Sequence, residues 1–158
     1  MELSSYEINT DTLALIPFGR TKTKVYEGEH EFIIKKSSLQ IIEDSCLFFG
    51  SSYEGRKVGT KSLLGIDMKV PIVIEDTRNI IFFPVSSCIR ENSVWVSYQN
   101  ILKYSKFNDL LTILYFKNHI SIKIGCKFCL FDNQFIRCIK LEKILLSRKK
   151  FMDKEAFF

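Results

Sequence analysis

The sequence has 158 residues, enough for one domain with a sizeable core. Apolar residues make up 46% and charged residues 26% of it, proportions that exclude wholesale disorder. The formal net charge of +5 is a mild basic bias, which suits a polyanionic partner such as nucleic acid without requiring one.

The N-terminal third is predicted to form strands. The apolar run Leu13 to Ile16 indicates a strand that ends at Pro17. Residues 22–26 and 31–35 indicate two further strands on either side of the turn sequence Glu27-Gly28-Glu29-His30. The spacing of these two segments predicts a hairpin.

A helix is predicted next, because Ser37 and Ser38 precede apolar residues spaced by three or four positions. Gly50 is the expected stop of this helix. Short strands rich in β-branched or aromatic residues follow at 72–74, 80–83 and 94–98. A second hairpin is predicted for residues 111–116 and 120–124, which flank the turn Lys117-Asn118.

From Phe128 onward the apolar period becomes helical. The apolar stripe contains Phe128, Phe131, Phe135, Cys138 and Leu145. Basic residues lie on roughly the opposite side: Arg137, Lys140 and Lys143. The favoured interpretation is a helix that packs on the sheet with a solvated basic face. Two others stay open, in which the apolar stripe joins two subunits or the basic face contacts DNA.

Together these elements predict an α+β fold, a single compact domain of antiparallel strands and hairpins with two principal helices. The domain is expected to span residues 1–146, and residues 147–158 are expected to form a short charged C-terminal tail. No internal repeat or Pro/Gly/Ser-rich linker divides the chain.

The most specific stretch is residues 45–60, SCLFFGSSYEGRKVGT. It fails as a nucleotide-binding P-loop, because Arg56 and Lys57 stand where a lysine and a hydroxyl residue are needed. A DNA-recognition helix is disfavoured by Gly55 and Gly59, which each cost about 1 kcal/mol relative to alanine. A loop that presents Arg56 to a narrow groove is the preferred interpretation. The alternative is a structural turn whose basic residues only face solvent.

The same sixteen residues closely resemble the central signature of the ComK family of competence transcription factors. The resemblance extends over roughly Tyr6 to Leu146, through KVPI at 69–72, IFFPVSS at 81–87 and Trp95-Val96. It implies a DNA-binding activator of competence (DNA-uptake) genes that acts on A/T-rich promoter half-sites through the minor groove. It also implies paired dimers, with RNA polymerase and a Clp-protease adaptor as further partners.

Arg56 and Lys57 are the strongest candidates for DNA contact, because inserted arginine suits a narrow, negatively charged groove. Ser51, Ser52 and Tyr53 are candidates for hydrogen bonds to phosphate oxygens. The remaining candidates are basic: Lys61, Arg137, Lys140 and Lys143.

The C-terminus departs from the family in two respects. Relatives carry an adaptor-binding stretch that begins Phe-Met; Phe151-Met152 match it, but Asp153-Lys154 do not continue it. The sequence also ends soon after the last helix, where longer relatives continue. An alternative function is therefore a short regulatory relative that acts through protein–protein pairing without independent activator function.

Catalytic and metal-binding signals are weak. Cys126 and Cys129 form one C-x-x-C pair without a second, so they are interpreted as core thiols rather than zinc ligands. No nucleophile motif occurs, and Glu43-Asp44 are neighbours that face different directions on a helix. We expect no enzyme activity, no cofactor and no metal.

The expected compartment is the cytoplasm. Five cysteines cannot all pair within the chain, and the first residues lack a secretory signal. The longest apolar runs are far shorter than the roughly 18 residues of a membrane-spanning helix, so no membrane contact is expected.

Overall fold

A seven-stranded sheet forms the centre of the computed structural model, which describes residues 1–85 and 92–155. Its strands are β1 (Glu2–Leu3), β2 (Thr12–Phe18), β3 (Lys22–Glu27), β4 (His30–Ile34), β5 (Ile72–Glu75), β6 (Ile80–Pro84) and β7 (Trp95–Ser97). Their spatial order is β1-β4-β3-β2-β7-β6-β5, and only β1 and β4 pair in parallel.

A smaller antiparallel sheet contains β8 (Ile101–Lys106), β9 (Thr112–Phe116) and β10 (Ser121–Ile124), with β9 in the middle. The helices are α1 (Ser38–Phe48), α2 (Tyr53–Leu64) and α3 (Phe128–Glu155).

Both faces of the large sheet are buried. Leu15, Phe82 and Trp95 pack in one apolar cluster with Ile42 and Cys46 of α1. The neighbouring residues on the same strands point the other way and pack against α3 and the small sheet. The central strands are therefore nearly continuous apolar runs rather than alternating ones, because a strand covered on both sides has no solvent face.

The predicted α+β class, the hairpins and the first helix are confirmed. The Ser37 side chain accepts a hydrogen bond from the Gln40 N–H at 3.2 Å, which makes Ser37 the N-cap of α1. Gly50 has a φ of 80°, and the Ser51 N–H donates to the Cys46 carbonyl at 2.9 Å. This pattern is the Schellman ending of a helix, for which glycine is the preferred residue.

Strand β2 continues through Pro17 instead of ending there. Strand β7 pairs with β2 only at Ala14 and Leu15, so Pro17 lies beyond the part of β2 that β7 covers. A proline without an N–H is tolerated at such a position. Strand β8 was not predicted, because only Ile101 of its residues is fully buried and no apolar alternation marks it.

A third helix, α2, stands where a loop was predicted, so that prediction is wrong. Capping and packing outweigh the cost of its two glycines: Ser52 caps its start, and Gly65 ends it with a φ of 66°. Leu63 and Leu64 pack against the core on the α3 side of the sheet. Helix α3 continues past residue 147 to Glu155. The predicted boundary between a domain of residues 1–146 and a tail of residues 147–158 stays a prediction.

Two residues of the IFFPVSS motif, Ser86 and Ser87, and the thiol of Cys88 lie outside the described residues.

Candidate nucleic-acid interface

The turn between α1 and α2 depends on its two serines. The Ser51 hydroxyl donates to the Cys46 carbonyl at 3.1 Å, and the Ser52 hydroxyl oxygen accepts the Gly55 N–H at 3.0 Å. Both side chains therefore stabilise the turn and the start of α2. The two helices and the turn between them form a helix–turn–helix. The sequence alone disfavours this arrangement because of Gly55 and Gly59.

The outward face of α2 carries almost no bulk. Gly55, Val58, Gly59 and Ser62 are exposed and spaced by three or four residues, which places them on one side of the helix. A flat surface can come close to this face, because the helix backbone is covered there by only one valine and one serine side chain.

Lys57 and Lys61 follow Tyr53 at intervals of four residues, so the three form a row along one side of α2. The Lys57 ammonium lies 5.7 Å from the centroid of the Tyr53 ring, within cation–π distance. Burial raises the pKa of Tyr53, which keeps its hydroxyl protonated. Neither lysine forms an ion pair with a described residue.

Arg56 is half-buried rather than extended from a loop. Its Nε atom is shielded from solvent and has no hydrogen-bond partner among the described residues. Burial raises the pKa of Cys46 to about 11, and the charge of Arg56 partly opposes this rise. Since Cys46 belongs to α1, Arg56 lies on the side of α2 that faces α1. Its contact with DNA stays a prediction.

The basic residues of α3 differ from one another. One guanidinium nitrogen of Arg137 donates to the Met68 carbonyl at 2.8 Å and to the Gln134 side-chain oxygen at 2.9 Å. Arg137 therefore holds the segment between α2 and β5. Lys140 and Lys143 are exposed and form no ion pair with any residue in the described ranges.

The apolar side of α3 packs on the sheets, as the favoured interpretation held. Phe131 is fully buried, with its ring centroid 5.4 Å from that of Phe83 and 4.8 Å from that of Tyr104. Leu141, which the predicted stripe omitted, is also buried.

Sequence reasoning missed Lys69 and Trp95 as site residues. They line a pocket of about 250 Å³ together with Tyr53 and Lys57 of α2. The only available signal was that both lie in short segments of the family resemblance, KVPI and Trp95-Val96. The pocket depends on β7 lying near α2, which no local sequence pattern reveals.

The interpretation of the C-x-x-C pair as core thiols is confirmed for Cys126, which is buried, and wrong for Cys129, which is exposed. Within residues 1–85 and 92–155, no group of three or more His, Cys, Asp or Glu side chains could hold a metal ion. None of the described helices combines the length and the apolar character needed to cross a membrane.

Comparison with known proteins gives a consistent result. The family model of the ComK protein matches residues 3–150. A competence transcription factor of Bacillus subtilis (strain 168) is 34% identical over 157 residues, which cover 96% of this chain and 78% of that relative. No solved structure matches the chain significantly. The match to the family model, over nearly the whole chain, shows that the chain belongs to the ComK family.

Proposed function

We propose that this chain is a transcriptional activator of competence (DNA-uptake) genes that binds A/T-rich promoter half-sites of double-stranded DNA through the minor groove. Family membership and the identity to a competence transcription factor support the role in competence. As such a factor it would act on DNA in the cytoplasm. The observation that carries DNA binding is α2, which presents two lysines, Lys57 and Lys61, that form no ion pair with any described residue.

Lysines that have no carboxylate partner among the described residues favour binding to a polyanion. Lys57 and Lys61 have no carboxylate partner among the described residues, so phosphate groups would not have to displace one. Each phosphate contact releases condensed counterions, which is the main source of sequence-independent affinity for DNA.

The shape of α2 limits how it can approach. A helix with side chains is about 10–12 Å across, whereas the minor groove of B-DNA is about 6 Å wide. We infer that α2 lies over the phosphate backbone with the row of Lys57 and Lys61 toward the DNA. Arg56 would then extend from its half-buried position into the groove, where narrow A/T tracts attract arginine.

The proposed active form is a homo-oligomer, a dimer or a pair of dimers, because repeated half-sites match a symmetric protein. Lys140 and Lys143 of α3 are proposed as further phosphate contacts. RNA polymerase and a Clp-protease adaptor are proposed as protein partners, as the family resemblance implies.

The test is a titration of the purified chain against two labelled duplexes of equal length. One carries an A-tract and a T-tract on the same helix face, and the other is G/C-rich. We expect preference for the first, with log K falling by about 0.9 per phosphate contact per log unit of salt. An A/T-specific minor-groove dye should compete, and methylation in the major groove should have little effect. Binding that ignores both sequence and salt would refute the proposal.

A second candidate function is protein pairing without independent activation. Leu47 and Phe48 at the end of α1 are 64% and 65% exposed, and exposed apolar residues of this size favour a protein contact. If the purified chain has no affinity for either duplex but a full-length relative carries it onto the A/T-rich one, this second function is the correct one.

A further inference from the structure

One face of the small sheet packs in the core, and its other face is open to solvent. Leu114, Ile122 and Ile124 are buried in the core, and the Tyr104 ring packs against three phenylalanine rings of α3. Successive side chains of a strand lie on opposite faces, so the residues that alternate with these point outward. We call this side of the small sheet the outer face; it carries Lys103, Phe107, Ile113, Tyr115 and Lys123.

The strand register fixes which of these side chains are neighbours. Lys103 of β8 lies opposite Tyr115 of β9, and Ile113 of β9 lies opposite Lys123 of β10. Side chains at opposite positions of adjacent strands are close enough to interact. The middle strand therefore contributes a ring and an aliphatic side chain to the outer face, and each edge strand contributes a lysine.

The charge of this region is strongly positive. Residues 101–127 contain five lysines and one acidic residue, Asp109. Asp109 pairs with Lys106 at 3.0 Å, whereas Lys103 and Lys123 form no ion pair with any described residue. Both lysines are exposed, so the outer face complements a polyanion.

Two aromatic rings lie directly beneath these two lysines. The Lys103 ammonium is 5.0 Å from the centroid of the Tyr115 ring, and the Lys123 ammonium is 4.0 Å from the centroid of the Phe107 ring. An ammonium in this position lies over the flat face of a ring. Each ring therefore turns its flat face, and not only its edge, toward the side from which a ligand approaches. Phe107 is 49% exposed, and Tyr115 is half-buried.

The pairing of rings with lysines selects one kind of nucleic acid. A duplex keeps its bases stacked inside and offers proteins its phosphates, its sugars and the edges of its bases. A single strand offers unstacked bases to aromatic rings and phosphates to cations. The Phe107 N–H donates to the Leu111 carbonyl, four residues before Tyr115, so the two rings lie about 14 Å apart along the strands. At this separation they contact two different bases.

We propose that the outer face of the small sheet binds a single-stranded nucleic acid. One base stacks on Tyr115 and another on Phe107, each in place of the ammonium that lies over the ring. Lys103 and Lys123 then pair with phosphates of the same strand. This site shares no residue with α2, and it goes beyond the proposed binding of duplex DNA.

Fluorescence anisotropy with labelled strands of twelve nucleotides tests the proposal. The probes are oligodeoxyuridine, oligouridine and an abasic strand with the same number of phosphates. We expect at least one base-bearing strand to bind tenfold or more tightly than the abasic strand, because stacking requires a base. The tighter of the two identifies the preferred strand as DNA or RNA. Equal affinity for all three strands would show that charge alone acts, and it would overturn the proposal.

Anionic vesicles exclude a membrane surface as the occupant. If vesicles of phosphatidylglycerol bind the protein and neither base-bearing strand does, the outer face is a membrane contact and the proposal is wrong.

Replacement of the rings locates the site. Tyr115→Leu and Phe107→Leu should each weaken binding of the base-bearing strand about tenfold and leave the affinity for the abasic strand unchanged. Tyr115→Phe keeps the ring and should bind like the wild type. Circular dichroism confirms that each variant is folded. Wild-type affinity in both leucine variants would refute the site.

Replacement of the lysines tests the phosphate contacts. Lys103→Gln and Lys123→Gln should each lower the salt slope for the single strand by about 0.7. The matched change Lys35→Gln, at an exposed lysine just after β4 in the large sheet, should leave the slope unchanged. Equal slopes in all three variants would contradict the proposed phosphate contacts. Tyr115→Leu should bind the A/T-rich duplex like the wild type, so failure of this proposal and failure of the proposed function are measured separately.

Discussion

The hydroxyl oxygen of Ser52 accepts the Gly55 N–H at 3.0 Å and would lie only 2.9 Å from a Cβ atom at Gly55. A side chain at residue 55 therefore collides with the oxygen that caps α2. No atom outside the helix backbone lies within 4 Å of the Cβ position at Gly59. The two glycines of α2 therefore differ: a side chain at residue 55 would disturb the Ser52 cap, whereas a side chain at residue 59 would meet no neighbouring atom.

Substitution of each glycine by alanine should show this difference in the free energy of unfolding. Gly59→Ala should raise the free energy of unfolding by about 1 kcal/mol, the ordinary advantage of alanine in a helix. Gly55→Ala gains the same advantage but disturbs a cap worth about 1 kcal/mol, so its net effect should be close to zero. Urea unfolding of both variants measures the difference.

Ser52→Ala provides the control, since it removes the oxygen with which residue 55 collides. In this background Gly55→Ala should stabilise the protein as much as Gly59→Ala does. Equal stabilisation by both changes in the wild-type background would show that the cap does not require Gly55.

Where the signals were local, the sequence predicted the fold. Ser37 marks the start of α1 through its side-chain oxygen, which accepts the Gln40 N–H, and Gly50 marks its end through its backbone N–H, which donates to the Leu47 carbonyl. The Gly28 turn sets the β3–β4 hairpin. Helix α2 was missed because its glycines lower its intrinsic propensity, while its stability comes from packing and from the Ser52 cap. A local sequence pattern does not reveal such tertiary contacts.

The DNA contacts of the candidate site stay a prediction. The family resemblance placed Arg56 and Lys57 at the centre of the candidate site, and membership of the ComK family is confirmed. What could not be predicted is which way each side chain points. Arg56 faces α1 because of its position around the axis of α2. A predicted loop assigns no such position to its side chains. That Trp95 and Lys57 line the same pocket follows from the position of β7 inside the sheet.

Phe131→Asp should unfold the domain. Phe131 is fully buried between Phe83 and Tyr104, and an unpaired carboxylate there costs several kcal/mol. Ile136→Asp is the matched control, because Ile136 lies on the same helix but is 39% exposed. Circular dichroism and sedimentation should show an unfolded first variant and a folded second one. A folded monomer of Phe131→Asp would instead identify the stripe as a subunit contact.

Cys46 should contribute to alkaline unfolding. Burial raises the pKa of its thiol from 9.0 to about 11 in the folded state. Below pH 9.0 the thiol is protonated in both states; as the pH rises from there to about 11, the unfolded state loses the proton first. The free energy of unfolding therefore falls over this window, by at most about 1.4 kcal/mol per pH unit from this group.

Cys46→Ala tests this contribution by urea unfolding at several pH values. The variant should be less stable at neutral pH, because it leaves a cavity. Its stability should nevertheless fall less steeply than that of the wild type above pH 9.0, where the wild-type thiol is ionised only on unfolding. Parallel curves would show that Cys46 does not contribute.

Arg56→Lys should lower the preference for A/T tracts while leaving much of the affinity. The substitution keeps the charge but loses the planar, weakly hydrated guanidinium that suits a narrow groove. The measurement is the ratio of affinities for the A/T-rich and G/C-rich duplexes. The Nε of Arg56 has no hydrogen-bond partner among the described residues, so its loss leaves no buried group unpaired, and thermal unfolding should show a folded protein. An unchanged ratio would mean that Arg56 contributes charge alone.

Lys57→Ala should weaken binding to both duplexes equally and lower the salt slope by about one unit, since lysine meets phosphate rather than a base edge. The domain should stay folded, because Lys57 makes no ion pair with a described residue and loses only its contact with the Tyr53 ring. Lys127→Ala, at an exposed lysine just before α3, is the control and should leave both affinities unchanged. If the double variant Arg56→Ala with Lys57→Ala binds like the wild type, α2 is not the contact surface. The exposed lysines of α3, Lys140 and Lys143, would then be tested in its place by the same salt series.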